Sequence, residues 1–113
     1  MAEFLYLYRG GQRGTSPEEG QQIMQKWMNW FKELGGTGNL KDGGQPLEDE
    51  GKVVKSRNGA ATDGPYAETK DLVGGYTLIE ADSLARAAEL AKGCPILERG
   101  GSVEVRPIMK LDM

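Results

Sequence analysis

Two groups of residues have the types and spacing to do chemistry. The first is Asp63, which precedes Gly64-Pro65-Tyr66 where a strand is expected to end. A carboxylate there can act as an acid, a base or an anchor for a substrate ammonium. The same residue also suits an Asx-type turn, in which the Asp side chain bonds the backbone two residues on. The second group is Glu104 and Arg106, at alternate positions of the last strand and so on one of its faces. Together they can hold an anionic group and polarise or deprotonate it, or they can form an ion pair, between themselves or with Arg9 or Lys70. Tyr8, Tyr66 and Tyr76 offer hydroxyls to the same space, although a strand tyrosine also serves as packing with its hydroxyl satisfied.

Composition narrows the chemistry further. The chain has 113 residues, one cysteine, no histidine and a formal net charge of −3. The absence of histidine removes the usual proton shuttle, the Ser-His and Cys-His nucleophile pairs and the His-based zinc and iron sites. The lone Cys94 excludes an internal disulfide and multi-thiolate metal sites, and with no base beside it in sequence it reads as a buried structural thiol. Neither a cofactor nor a metal is expected. The acidic balance argues against a nucleic-acid partner. Phe4 to Tyr8 is too short and too poorly flanked for a signal sequence or a membrane span, so the expected location is cytoplasmic. Glycines from Gly36 to Gly44 resemble a phosphate loop only in composition, and Glu48-Asp49-Glu50 reads first as a solvated acidic loop.

The elements that must position these residues follow from periodicity. Glu3 to Tyr8 alternates aromatic Phe4, Tyr6 and Tyr8 with Leu5 and Leu7, the pattern of a strand. Ser16-Pro17-Glu18-Glu19 opens a helix as a capping box, and Ile23, Trp27, Trp30, Phe31 and Leu34 form its stripe up to Gly35-Gly36. Met24 and Met28 widen that arc. A loop or irregular strand is expected around Leu40, then a hairpin across Asn58-Gly59, and one helical turn in Ala67 to Leu72. Gly74-Gly75 admits a bulge before a strand from Tyr76 to Glu80. A second helix, capped by Asp82 or Ser83, is expected to carry Leu84, Ala87, Ala88 and Ala91 on one face. Ser102 to Met109 is the final strand. This is one α+β domain over residues 1–113, a ferredoxin-like split βαβ plan with an antiparallel sheet and both helices on one face. If Leu5, Leu7, Val103 and Val105 face the helices, the open face carries Phe4, Tyr6 and Tyr8 beside Glu104 and Arg106, and a second subunit must cover it.

The block from Asp63 to Lys70, with Gly74-Gly75-Tyr76 and the terminal Gly100 to Pro107, resembles the DGPF branch of the YCII-related proteins, a mostly bacterial family, with Tyr66 where that branch usually has Phe. The resemblance implies a dimeric α+β barrel, in which two sheets pack face to face as a homodimer. It also implies a small protein of unassigned reaction. The His-Asp pair thought to serve the better-studied branch does not carry over, for want of histidine. Two functions remain in view. One is an enzyme or binder that takes a small anionic molecule between the open sheet face and the dimer partner, with Asp63 and Glu104 as acid and base and Arg106, Tyr8, Tyr66 and Tyr76 as contacts. The other is a non-enzymatic regulatory module, since the family's DGPF proteins occur beside extracytoplasmic-function sigma factors.

Overall fold

The structure, a computed structural model, describes residues 1–65 and 71–111. The chain runs β1 (Ala2–Arg9), α1 (Pro17–Gly36), β2 (Leu40–Asp42), β3 (Gly51–Val53), β4 (Thr62–Gly64), β5 (Val73–Ala81), α2 (Leu84–Ala91), a short 3-10 helix (Pro95–Arg99) and β6 (Ser102–Pro107). Four strands form an antiparallel sheet in the order β2-β5-β1-β6, which is the split βαβ arrangement anticipated from periodicity. The expected helical turn over Ala67 to Leu72 falls largely outside the described residues.

Two differences from expectation concern the middle of the chain. The hairpin forms, with Lys52 opposite Asp63, but β3 and β4 make a separate two-stranded sheet. The strand that completes the main sheet is instead β2 at Leu40, paired with β5 at Ile79. The hairpin is therefore an insertion between two neighbouring strands, an arm rather than a sheet edge.

Local chemistry sets the element ends. Ser16 caps α1 by accepting from the Glu19 backbone N–H at 3.1 Å, and the Glu19 carboxylate returns to Thr15, accepting from its hydroxyl at 2.9 Å. Gly35 and Gly36 stay helical, and the left-handed residue beyond the helix is Gly38, at φ 76°. Ser83, not Asp82, caps α2, accepting from the Arg86 N–H at 3.1 Å. The bulge at Gly74 is present: Tyr8 pairs with Gly75 while Arg9 pairs with Val73.

The main correction concerns which sheet face the helices cover. Phe4, Tyr6 and Tyr8 do not line the open face; they are the buried core, with Ile79 and Ala81 beside them. Tyr6 stacks on Trp30 at 5.9 Å, and Tyr8 meets Trp27 edge-on at 4.8 Å. The Tyr6 hydroxyl donates to the Ala87 carbonyl of α2 at 2.5 Å, and the Tyr8 hydroxyl donates to Thr77 Oγ1 at 2.7 Å. The aromatic residues of α1 thus find ring partners on β1. The alanines of α2 leave room for the Tyr6 ring to reach the helix backbone, and those at 87 and 91 are the buried ones. Val103 and Val105 pack on the same side, as their register opposite Tyr8 and Tyr6 requires.

Removing Trp30 strips Tyr6, Tyr8 and Phe31 of their shared neighbour. Trp30→Ala should cost about 3–5 kcal/mol in urea unfolding, the range for a buried Trp. Tyr6→Phe keeps the stack and loses one buried hydrogen bond, leaving the Ala87 carbonyl without this partner, so its cost should be smaller, about 1–3 kcal/mol.

Candidate functional site

With the aromatics turned inward, alternation places Leu5, Leu7 and Arg9 of β1 on the face the helices leave uncovered. Register brings Tyr76, Leu78 and Glu80 of β5 alongside on one flank, and Glu104 and Arg106 of β6 on the other. The face thus has an apolar centre of Leu5, Leu7 and Leu78 with a charged group across one end. At the far corner Glu3 stands directly opposite Glu80, an unfavourable pairing of like charges that the ion pair from Lys41 to Glu3 relieves.

The charged group is built on one carboxylate. Glu104 Oε1 accepts from Arg9 Nε at 2.9 Å and lies 2.8 Å from its Nη2, while Glu104 Oε2 lies 3.5 Å from Arg106 Nη1. Arg9 is further tied down by donating to the Asp71 carbonyl at 2.6 Å. The Arg9 guanidinium, with Arg106 behind it, holds the Glu104 carboxyl below its ordinary range. Glu104 is thus an anion near neutrality and accepts from both guanidinium groups. Two cations share one acid, so the group carries a net positive charge. Arg106 is its loosely held member, with a side chain 65% exposed.

The other expected site residues fall elsewhere. Asp63 sits on β4 in the arm, 92% exposed at its side chain, with Lys52 Nζ 2.6 Å away. The structure does not bring it to Glu104 and Arg106. Tyr8 lies on the opposite side of the sheet from Arg106, because its ring fills the space between sheet and α1. Burial pushes the Tyr6 and Tyr8 hydroxyls far above the ordinary tyrosine range, which fits hydrogen-bonding and packing roles. Tyr66 lies outside the described residues. Among the described tyrosines, Tyr76 alone shares the open face with Glu104 and Arg106. Cys94 is buried, and desolvation pushes its thiol up to about 12, the behaviour of a structural cysteine.

Arg9 is the residue that sequence reasoning saw only as an ion-pair partner. It also borders a cleft of about 510 Å³ where the arm joins the sheet, lined with Leu47, Glu48, Glu50, Pro65, Leu72 and Val73. The arm base is attached there by Leu47 N–H to the Gly74 carbonyl at 2.8 Å and by Gly10 N–H to the Leu72 carbonyl at 3.2 Å. A correct choice of inward face would have placed Arg9 with Leu5 and Leu7. The aromatic stripe of α1 carried that signal.

Residues 3–112 match the model of the YCII-related domain, and the chain belongs to that family. No curated protein matches it in sequence. Among solved structures it resembles 5-chloro-2-hydroxyhydroquinone dehydrochlorinase (TftG) from Burkholderia phenoliruptrix AC1100, determined as a complex with 2,5-dihydroxybenzoquinone. The TM-score is 0.53 at 19% identity, covering 95% of this chain and 93% of that one. The likeness extends to the whole α+β fold. No helix among the described residues is long and apolar enough to cross a membrane.

The Arg9–Glu104 pair has a testable pH signature. The folded-state pKa of Glu104 is depressed, so the pair's contribution to stability is fully present above the unfolded carboxyl value of about 4.3 and is lost as pH falls through the lower folded value. Glu104→Gln should lower stability at pH 7 and flatten the acid limb of a melting-temperature profile below pH ~4. An acid limb identical to the wild type would show that the pair adds nothing to folding.

Proposed function

We propose that the chain binds a small anionic organic molecule on the open sheet face, under a second copy that forms the other wall of the pocket. One observation carries this reading: an uncovered, largely apolar face ends in two guanidinium groups that share a single carboxylate. The apolar centre suits a flat or hydrocarbon body, and the net positive charge selects an anionic end. Arg9 is held by Glu104 and the Asp71 carbonyl, so it supplies a fixed charge. Arg106 is free to turn its planar fork to a carboxylate, phosphate or enolate oxygen. Tyr76 offers a hydroxyl from the opposite flank of the face, and Glu104, kept as an anion by the two guanidinium groups, sets their positions.

The dimer has a different basis from the one the sequence suggested. Phe4, Tyr6 and Tyr8 are already covered by the helices, and the face that needs a partner is that of Leu5, Leu7, Leu78 and Tyr76. TftG, with a small oxygenated ring bound in a similar fold, supports the small-molecule reading. Asp63 takes no part in the site on this subunit.

Calorimetric titration with 2,5-dihydroxybenzoquinone and with benzoate tests the assignment. Arg106→Ala should weaken binding of whichever anion the wild type takes by at least about tenfold, the order expected for a lost charged hydrogen bond, with melting temperature nearly unchanged. Equal affinity in both proteins would remove Arg106 from the site. Light scattering should give twice the chain mass. A monomer, together with no anion binding, would leave the interaction-module reading as the better one.

A further inference from the structure

The β3–β4 arm is weakly supported by the described residues of its own chain. Each strand has three residues and among the described residues the two-stranded sheet pairs with no other strand, an arrangement marginal on its own in water. Val53 is only half buried and Val54 beside it is 69% exposed. The radius of gyration is 15.8 Å, above the roughly 13 Å of a compact chain this long. The molecule measures 48 × 47 × 18 Å, and its thin dimension is close to that of one helix layer on one sheet. The arm therefore extends sideways and folds over neither face.

Its charges are separated along its length. The base carries Glu48, Asp49 and Glu50, of which Glu48 and Glu50 line the Arg9 cleft and Asp49 pairs with Arg13 at 2.7 Å. The first strand and tip carry Lys52, Lys55 and Arg57, with Lys52 paired to Asp63. Arg57 makes no ion pair with any of the described residues. It lies seven residues beyond Glu50, in the loop that joins β3 to β4.

A segment acidic at one end and basic at the other is self-complementary when two copies run antiparallel across a two-fold axis, since such an interface repeats each contact. We propose that the arms pair in this way in the dimer. The Arg57 tip of each arm meets Glu48 and Glu50 of the other and closes the mouth of its Arg9 cleft. The occupant of the exposed arm is thus a second copy of this chain, and the cleft is completed by the partner subunit. This inference rests on the dimer proposed above and adds to it a contact that the sheet faces do not make.

Charge reversal at exposed positions tests it with little risk to folding. By sedimentation at low salt, Arg57→Glu alone and Glu50→Arg alone should each weaken the dimer by about fivefold to tenfold, the order of one or two exposed ion pairs. An equimolar mixture should form heterodimers in preference to either homodimer, because the acidic tip of one then meets the basic base of the other. A dimeric wild type with both variants unaffected and no preference in the mixture would overturn the arm contact and leave the sheet-face dimer standing. A monomeric wild type at every concentration would overturn both.

Discussion

The stacking of Tyr6 on Trp30 is the contact on which the rest of the architecture depends. A strand has a period of two, so fixing one residue inward fixes every other residue of β1. Once Tyr6 is under α1, Phe4 and Tyr8 are buried with it, and Leu5, Leu7 and Arg9 are committed to the other side. The register of β1 with its neighbours then sorts β5 and β6, which sends Glu104 and Arg106 outward and Val103 and Val105 inward. One aromatic contact between strand and helix thereby decides which polar groups share a surface. The Tyr6 hydroxyl extends the constraint to α2 through Ala87, so both helices are tied to a single ring.

Much of the fold was legible because its signals are local. The α1 cap at Ser16 and the Gly74 bulge each need only a few adjacent residues, and each is where those residues put it, whereas the hairpin forms around a longer loop over residues 54–61 in which neither Asn58 nor Gly59 takes the positive φ of a tight turn. The strand around Leu40 was faint because it is three residues long and is held by pairing with β5, a partner distant in sequence. The place of the hairpin was hidden for the same reason: nothing in its own residues says whether it joins the main sheet or stands apart.

The candidate site was less legible, because it required choosing between two apolar faces of one strand. Leucines and aromatics are both acceptable in a core, and alternation alone does not rank them. The deciding information lay on α1, whose Trp27 and Trp30 make ring contacts with Tyr8 and Tyr6 that leucines could not make. Placing Glu104 and Arg106 on the uncovered face was right for the wrong reason. They oppose Val103 and Val105 as expected, but it is the valines that lie with the aromatics. Tyr8 was misplaced by the same step, and Arg9 was left out of the site by it.

The corrected arrangement changes what the open face can do. A face of exposed tyrosines would have offered neutral donors, whose hydroxyls titrate too high to carry charge near neutrality. The face that exists offers fixed charge instead: Arg9 is anchored by a carboxylate and a backbone carbonyl, and Arg106 shares that carboxylate at a longer distance. Among the described residues, Arg106 is held only by a 3.5 Å contact to Glu104, which an anion would displace on the proposed reading, while Arg9 keeps Glu104 neutralised from the other side. The cost of freeing Arg106 is therefore small, and the ion pair that remains holds the floor of the site in place. On the proposed reading, a chain without histidine builds in this way an anion site whose charge does not vary across the neutral range, since its two cations are guanidinium groups and the carboxylate between them is held below its ordinary range.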